Sequence, residues 1–263
     1  MFDFEKYGAF EKQYTVEDCR RDLNNVVTFF REQDYHQAYM KAALVEERQL
    51  PIEVADMLDL FWVSEDLPVG SFPEWMQSES LGVVRKGYSV MFGRLVYPVK
   101  DVNGDVMGFV GWDPFVEPKY LDSKNYGYKA KSTSLLGMER IRDYYTNDKM
   151  VIVVEGAVCM AYLRVNKFQA MATLGSILTP YVVQILRRFG RRLLVIPDND
   201  EAGDSYVRQV KYKVPKALIW QPKYGKDVDG CRKLDEHVYE QDLLNDLRNA
   251  SNPFYIPKIF IRR

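Results

Sequence analysis

Three short apolar runs in the second half of the chain each lead into acidic residues. The runs are VIVV at 151–154, LLVIP at 193–197 and ALIW at 217–220. The acids that follow them, in the same order, are Glu155, then Asp198 and Asp200, then Asp227 and Asp229. Carboxylate oxygens suit Mg²⁺ and Mn²⁺, and two such ions about 4 Å apart stabilise the entering and leaving oxygens of a phosphoryl transfer. The pattern therefore predicts a divalent-metal site that acts on phosphates.

The elements around these runs indicate how the acids are positioned. Short runs rich in Val, Ile and Leu are typical of strands buried on both faces. Segments of helical length separate them, at 157–165, 179–189 and 201–212, and a further run at 168–172 ends at Thr173. This alternation predicts a parallel sheet with helices on its faces. The carboxyl ends of parallel strands meet at one edge, so we expect the five acids to converge there.

A simpler explanation exists for each acid taken alone, namely that it ends a strand or caps a helix. Asp200 directly precedes the segment 201–212 and is a good helix N-cap on type and position. The simpler explanation does not account for acids at three successive strand ends. Carboxylates gathered at one edge repel each other unless a cation lies among them, so the combination favours a metal site.

The composition excludes several other classes of protein. The 263 residues include 36 basic and 37 acidic ones, so any affinity for nucleic acid must come from a local patch. The three cysteines are scattered and only two histidines accompany them, which fits a reducing compartment and spells out no zinc ribbon. No signal peptide or membrane-spanning run is present. We expect a cytoplasmic protein with no membrane partner.

The first half of the chain changes in character along its length. Residues 16–48 read as helices, and a short helix is expected over 51–61. Two β-rich runs, 88–99 and 105–116, flank an Asn-Gly pair, which is typical of a hairpin. Pro98 lies within the first of these runs and indicates an edge strand or a bulge.

A polar segment at 117–141 interleaves lysines with tyrosines. Its lysines include Lys119, Lys124, Lys129 and Lys131. Such a pattern can hold phosphates and stack bases, and it is equally typical of a solvated loop. The residues alone leave both interpretations open.

Several motifs in the second half resemble a TOPRIM domain, the metal-dependent fold of bacterial primases, topoisomerases and some nucleases. They are Glu155-Gly156, DNDEAGD at 198–204 and GKDVDG at 225–230. TLGSILT at 173–179 resembles the primase version of this domain. One position departs from the family, because Cys159 stands where primases usually carry a second acid four residues after the Glu. A thiol is a poor ligand for Mg²⁺.

The upstream half extends the resemblance to DnaG-type primases, over about residues 35–235. GRLVYP at 93–98, PKYLDS at 118–123 and KAKSTSLLG at 129–137 are similar to the segments that precede TOPRIM in that family. In this alignment Lys131 takes the place of a catalytic-centre lysine and Arg94 that of an arginine in the template groove. Trp112 replaces a second groove arginine, which removes one cation from the expected groove and offers a ring that could stack on a base.

The resemblance implies a primase core that makes short RNA primers on single-stranded DNA from ribonucleoside triphosphates, with two or more Mg²⁺ or Mn²⁺ ions. The expected catalytic residues are Glu155, Asp198, Asp200 and Lys131, and the expected metal ligands are Glu155, Asp198, Asp200, Asp227 and Asp229. The expected contacts to nucleic acid or nucleotide are Arg94, Lys119, Lys131, Lys223 and Lys226. Two alternatives stay open, a TOPRIM nuclease and a non-catalytic DNA-binding replisome protein with a decayed site.

The predicted fold class is α/β, a TOPRIM domain with a parallel sheet flanked by helices, preceded by a mixed α+β part. We divide the chain into a mainly helical part, a β-rich part with the basic groove, the TOPRIM domain, and a short C-terminal helix and tail, with bounds 1–87, 88–148, 149–236 and 237–263. Such a minimal core is expected in a phage, acting in the host cytoplasm. A replicative helicase and a separate zinc-binding module are the further partners that the family implies.

Overall fold

The computed structural model describes residues 16–33, 36–46, 49–77, 81–85, 87–89, 91–113, 116–123, 135–141, 150–222, 225–229, 244, 245, 247 and 249. They divide into two compact units. Unit 1 comprises 1–48, 59–99 and 105–130, and unit 2 comprises 49–58, 100–104 and 131–263. These bounds differ from the four-part division, which stays a prediction. In the described residues no helix has both the length and the apolar character needed to cross a bilayer.

Unit 1 is built on a mixture of helices and a four-stranded sheet. Its helices are α1 (Val16–Arg31) and α2 (His36–Met40), the latter continued by a π-helical turn (Lys41–Glu46). Its strands are β1 (Phe61–Val63), β2 (Val84–Arg85), β3 (Tyr88–Ser89), β4 (Arg94–Lys100), β5 (Val106–Trp112) and β6 (Tyr120–Asp122). The sheet order is β1-β4-β5-β6, and β2 pairs separately with β3. Helix α1 packs on this sheet through Phe30, whose ring stacks on that of Phe61.

The predicted hairpin is present between β4 and β5. Its turn is held by the Gly104 N–H, which donates to the Asp101 carbonyl (3.1 Å), and by the Asn103 N–H, which donates to the Asp101 carboxylate (2.8 Å). The prediction for Pro98 was wrong, because β4 lies inside the sheet rather than at its edge. Its partner β1 pairs only with residues 94–96, so the missing N–H of Pro98 disrupts no pairing with β1.

The short helix expected over 51–61 is shorter and is followed by a strand. Helix α3 (Glu53–Leu58) ends because Asp59 takes a left-handed backbone conformation (φ 49°), and β1 begins at Phe61. The alternating burial of Phe61, Trp62 and Val63 is that of a strand with one face in the core.

Unit 2 contains the predicted parallel sheet with helices in its connections. Its further elements are β7 (Val151–Val154), α4 (Ala157–Val165), β8 (Ala170–Ala172), α5 (Pro180–Phe189), β9 (Leu193–Ile196), α6 (Glu201–Lys213) and β10 (Leu218–Ile219). The order is β10-β9-β7-β8 and all three pairings are parallel. The residues of β7, β8 and β9 are all buried, which confirms the prediction of strands covered on both faces.

Arg164 is a buried cation that ties α4 to its neighbours. Its Nε donates to the Ala170 carbonyl (2.8 Å) and its Nη2 to the Gly137 carbonyl. Burial lowers the pKa of this guanidinium to about 10, so it is still charged at neutral pH.

Replacing Arg164 with Leu is expected to destabilise the protein by about 2–4 kcal/mol, because both carbonyls lose a donor in a buried setting. Urea unfolding at pH 7.5 measures this change, with Arg188→Leu as a matched exposed control. Arg164→Lys, which cannot span both carbonyls with a planar fork, should recover only part of the loss. An unfolding free energy equal to wild type for Arg164→Leu would contradict this role.

Candidate active site

The register of the parallel sheet aligns the strand ends that carry the predicted site. Val154 pairs with Ala172 on one side and with Ile196 on the other. The Thr173 N–H extends this alignment by donating to the Val154 carbonyl (3.0 Å). The residues that leave β7 and β9 therefore emerge side by side at one edge, as the parallel arrangement predicts.

Glu155 and Asp198 meet at this edge. The Glu155 carboxylate is only 8% exposed, and its Oε1 accepts a hydrogen bond from the Asp198 N–H (3.1 Å). Burial raises the pKa of Glu155, and the hydrogen bond from Asp198 acts in the opposite direction. The structure thus brings together the acids that were predicted from the ends of two different strands.

Asp198 carries the most strongly perturbed carboxylate of this site. Its pKa is raised to about 7, first by burial and then by the negative charges of Glu155 and Asp227, while Lys226 opposes the shift. Ionising Asp198 is therefore unfavourable in the protein alone. A bound cation would remove this penalty.

Asp200 lies in a different environment from Asp198. Its Oδ1 accepts from the Gly203 N–H (2.9 Å), so Asp200 is the N-cap of α6. Its Oδ2 lies 2.9 Å from the Nζ of Lys226, which is also 4.0 Å from an Asp198 oxygen. The hydrogen bonds from Gly203 and Lys226 lower the pKa of Asp200. The capping role is present, and the carboxylate also faces the cluster.

The segment 225–229 is fastened to the end of β9. The Asn199 N–H donates to the Lys226 carbonyl, and the Asn199 side-chain amide donates to the Gly225 carbonyl (3.4 Å). Asp227 is close enough to raise the pKa of both Glu155 and Asp198. Asp227, from the last predicted acid pair, therefore lies near Glu155 and Asp198.

Cys159 supports the same segment from α4. Its thiol is buried and accepts a hydrogen bond from the backbone N–H of Asp229, and burial raises its pKa well above the ordinary value. The neutral thiol adds no charge to the cluster. At this position the chain has exchanged a charged group for a contact that anchors the backbone next to Asp229.

The carboxylates fit a hard divalent cation in donor chemistry, although they do not form a ready-made ligand set. In the part of the chain that the structure describes, no group of three or more His, Cys, Asp or Glu side chains could hold a metal ion as arranged. The donors are all oxygens, and burial, followed by the charges of Glu155 and Asp227, raises the pKa of Asp198 in spite of Lys226. The metal-binding role of the five acids stays a prediction.

The burial of Asp198 predicts a pH dependence of stability without metal. Its pKa of about 7 in the folded protein lies above the ordinary 3.8, so the folded state binds the proton more tightly than the unfolded chain does. The free energy of unfolding in EDTA should therefore fall as pH rises from about 4 to about 7. We expect a fall of about 1–2 kcal/mol, because water and Lys226 screen part of the shift.

The measurement is urea unfolding in EDTA between pH 5 and pH 8, which gives the free energy of unfolding of the wild-type protein and of Asp198→Asn. The variant has no ionisable group at this position, so its stability should depend less on pH. Equal pH profiles for the two proteins would show that Asp198 is not perturbed as described.

Comparisons with known proteins agree with this geometry. Residues 152–231 match the Toprim-like family model. A DNA primase of Legionella pneumophila is 33% identical over 168 residues, which are 63% of this chain and 28% of that protein. The chain is similar to DNA primases. It spans less than a third of the length of this relative.

Solved primase structures show the same fold as this chain. The Aquifex aeolicus primase, solved with its zinc-binding and RNA polymerase domains, is 22% identical with a TM-score of 0.70, covering 93% of this chain and 64% of that one. The DnaG primase catalytic domain bound to single-stranded DNA is 24% identical with a TM-score of 0.63, covering 86% of this chain and 78% of that one. The predicted α/β fold with a TOPRIM domain is confirmed.

Arg94 and Lys119, which were expected to contact the template, lie in unit 1. Arg94 is only 7% exposed, packs over Gly111 and donates from Nη1 to the Lys119 carbonyl (3.2 Å). Lys119 is exposed, with its Nζ 5.8 Å from the centre of the Tyr120 ring. Lys131 and Lys223 lie outside the described residues. These four assignments stay predictions.

Trp112 is not available to stack on a base, which was one of the two consequences considered for its place in the groove motif. Trp112 lies in β5 and is 2% exposed, so its ring is part of the core of unit 1. A residue that replaces a groove arginine by motif alignment need not face the groove, because a strand places alternate side chains on opposite faces.

Sequence reasoning missed two structural supports of the candidate active site. Gly203 lets α6 approach β9 so closely that a Cβ built on it lies 1.8 Å from the Asp198 carbonyl oxygen. Asn199 fastens the 225–229 segment. The motif DNDEAGD at 198–204 contains both residues, and the requirement for a Gly inside a helix was the available signal.

Proposed function

We propose that this chain is the catalytic core of a DNA primase, a nucleotidyltransferase that synthesises short RNA primers on single-stranded DNA during DNA replication. The observation that carries the proposal is the contact between Glu155 and Asp198 at the ends of two parallel strands. It leaves negative charge at the edge where a Toprim-like domain carries its acidic motifs. The similarity of the chain to DNA primases supports the class of reaction.

The proposed mechanism assigns the metal-holding role to the carboxylates. The backbone N–H of Asp198 orients the Glu155 carboxylate, and the Gly203 N–H in the first turn of α6 orients the Asp200 carboxylate. Together with Asp227 and Asp229 they would hold two or more Mg²⁺ or Mn²⁺ ions. When bound, such ions neutralise charge on the triphosphate and on the leaving pyrophosphate.

The cations of the chain have a separate role in binding. Lys226 supplies an ammonium group beside Asp200 and Asp198, which suits a triphosphate held at the same edge. Arg94 and Lys119 are proposed to hold template phosphates, and Lys131 and Lys223 to contact the substrates. The side chain of Lys119 is exposed, so its ammonium group is accessible to a phosphate.

The partners implied by the family extend the proposal. One structural neighbour was solved bound to single-stranded DNA, and another with a zinc-binding domain. We therefore propose single-stranded DNA and ribonucleoside triphosphates as substrates in the cytoplasm. A zinc-binding module and a replicative helicase are proposed as further partners.

Template-directed synthesis tests the proposal. The protein is incubated with single-stranded DNA, labelled ribonucleotides and either Mg²⁺ or Mn²⁺, and the products are separated by size. The expected result is short RNA that requires both the template and the metal. Shortened DNA would instead identify a TOPRIM nuclease, and binding without either product would identify a non-catalytic protein.

A further inference from the structure

Basic residues are segregated in unit 2. The segments 179–197 and 205–222 contain four Arg, and one Arg with three Lys, respectively, and neither contains an acid. The chain as a whole has 36 basic and 37 acidic residues, so this separation is local. The stretch between the two segments, 198–204, carries the acids of the candidate active site.

Helices α5 and α6 are joined at their C-terminal halves. The Arg187 Nε donates to the Lys213 carbonyl (2.6 Å), and the Lys213 Nζ is held by the Leu178 carbonyl (2.9 Å) and by the Gln209 side chain (3.0 Å). Five exposed basic side chains, on these two helices and just after α6, define what we call the α5–α6 basic face, namely Arg187, Arg188, Arg208, Lys211 and Lys216.

Exposed aromatic rings accompany these charges. Tyr212 lies between Lys211 and Lys213 and is 86% exposed. Tyr181 is 40% exposed and lines a cleft of about 220 Å³ with Gln184, Ile185 and Arg188 on one side and Asn103 on the other. Arg188 and Arg187 are neighbours, so the cleft adjoins the basic face.

The attraction between basic side chains and helix C-termini explains only part of this arrangement. Such residues stabilise the last turn of a helix, which accounts for Arg187, Arg188 and Lys213. Arg208 lies more than a turn before the end of α6, and Lys216 lies beyond it. Helix stability also gives no reason to expose the ring of Tyr212.

We propose that the α5–α6 basic face binds single-stranded nucleic acid, with phosphates at its lysines and arginines and a base stacked on Tyr212. Cations beside exposed aromatic rings are the features that bind single strands without regard to sequence. An acidic peptide would match the charge and would leave the aromatic rings without a role. Helix α6 separates Asp200 at its start from Lys213 at its end by about 20 Å, so this surface is distinct from the candidate active site and does not rest on the proposed function.

Fluorescence anisotropy with labelled dT20 tests the surface in the full chain. Tyr212→Ala should weaken binding about five- to tenfold, while Tyr212→Phe, which keeps the ring, should bind like wild type. The double variant Lys211→Gln, Lys216→Gln should reduce the dependence of log Kd on log salt by about 1.4, from about 0.7 for each lost phosphate contact. Lys41→Gln, an exposed lysine of unit 1, is the control and should change neither quantity.

The same titrations separate the possible outcomes. If dT20 binds all variants with the affinity and salt dependence of wild type, the surface is not a nucleic-acid site. A glutamate-rich peptide is tested in the same way. If the peptide does not displace dT20, and if it binds the lysine double variant more weakly than it binds wild type, the surface binds acidic protein and the proposal is wrong. Failure here leaves primer synthesis untouched, because that activity is measured separately by incorporation of ribonucleotides.

Discussion

Asp198→Asn is expected to reduce primer synthesis by about 1,000-fold or more while the protein stays folded. The Asn side chain fills the same space, but it lacks the carboxylate, whose pKa is raised to about 7 by burial and by Glu155. Charge stabilisation by a bound metal is worth several kcal/mol in the transition state, and each 1.4 kcal/mol is a factor of ten in rate. Gel separation of labelled RNA products measures the loss.

The matched control for this variant is Glu201→Gln. Glu201 lies in the first turn of α6, is exposed, and is one residue away from Asp200. Neutralising it removes the same unit of charge outside the cluster, so synthesis should stay within about threefold of wild type. Normal synthesis by Asp198→Asn, or equal losses in both variants, would remove Asp198 from the site.

Gly203→Ala is expected to destabilise the protein by about 3 kcal/mol and to abolish synthesis. The added Cβ would lie 1.8 Å from the Asp198 carbonyl oxygen, which is backbone and cannot rotate away. Helix α6 must therefore move away from the end of β9. Asp200, which is held to α6 by the hydrogen bond from Gly203, would then move away from Asp198. Overpacking of this kind costs about 1–3 kcal/mol and occasionally more, whereas Gly→Ala in an open helix gains about 1 kcal/mol.

The sign of the change in the free energy of unfolding shows whether Gly203 lies in a close contact or in an open helix. Gly70→Ala is the control, because nothing lies within 4 Å of the added Cβ in that position. Urea unfolding and primer synthesis are measured for both variants. A stability gain for Gly203→Ala with full synthesis would show that α6 does not approach β9 as described.

Local pattern predicted most of unit 2. The apolar run at 151–154 is β7 and the segment 157–165 is α4, with the bounds that the residues indicated. Strands buried on both faces and helices between them determine a parallel sheet, and a parallel sheet determines that its strand ends meet. The approach of Glu155 to Asp198 follows from this geometry, so the order of runs and acids in the sequence is enough to predict it.

The features that were not predicted depend on contacts between residues distant in sequence. Strand β1 follows a helix because Asp59 adopts a left-handed conformation, and the spacing of apolar residues does not predict this conformation. Pro98 is tolerated in an inner strand because β1 is too short to pair with it. Trp112 faces the core, although motif alignment placed it in the groove. The pairing of Lys226 with Asp200 arises only when the 225–229 segment folds back on β9.

Binding of Mn²⁺, followed by electron paramagnetic resonance of the free ion, tests the central claim most directly. The account predicts that wild-type protein binds Mn²⁺, that Asp198→Asn binds at least about tenfold more weakly, and that Glu201→Gln binds like wild type. Equal binding of Mn²⁺ by wild type and Asp198→Asn would contradict it, because the carboxylates at the strand ends would then not be the ligands.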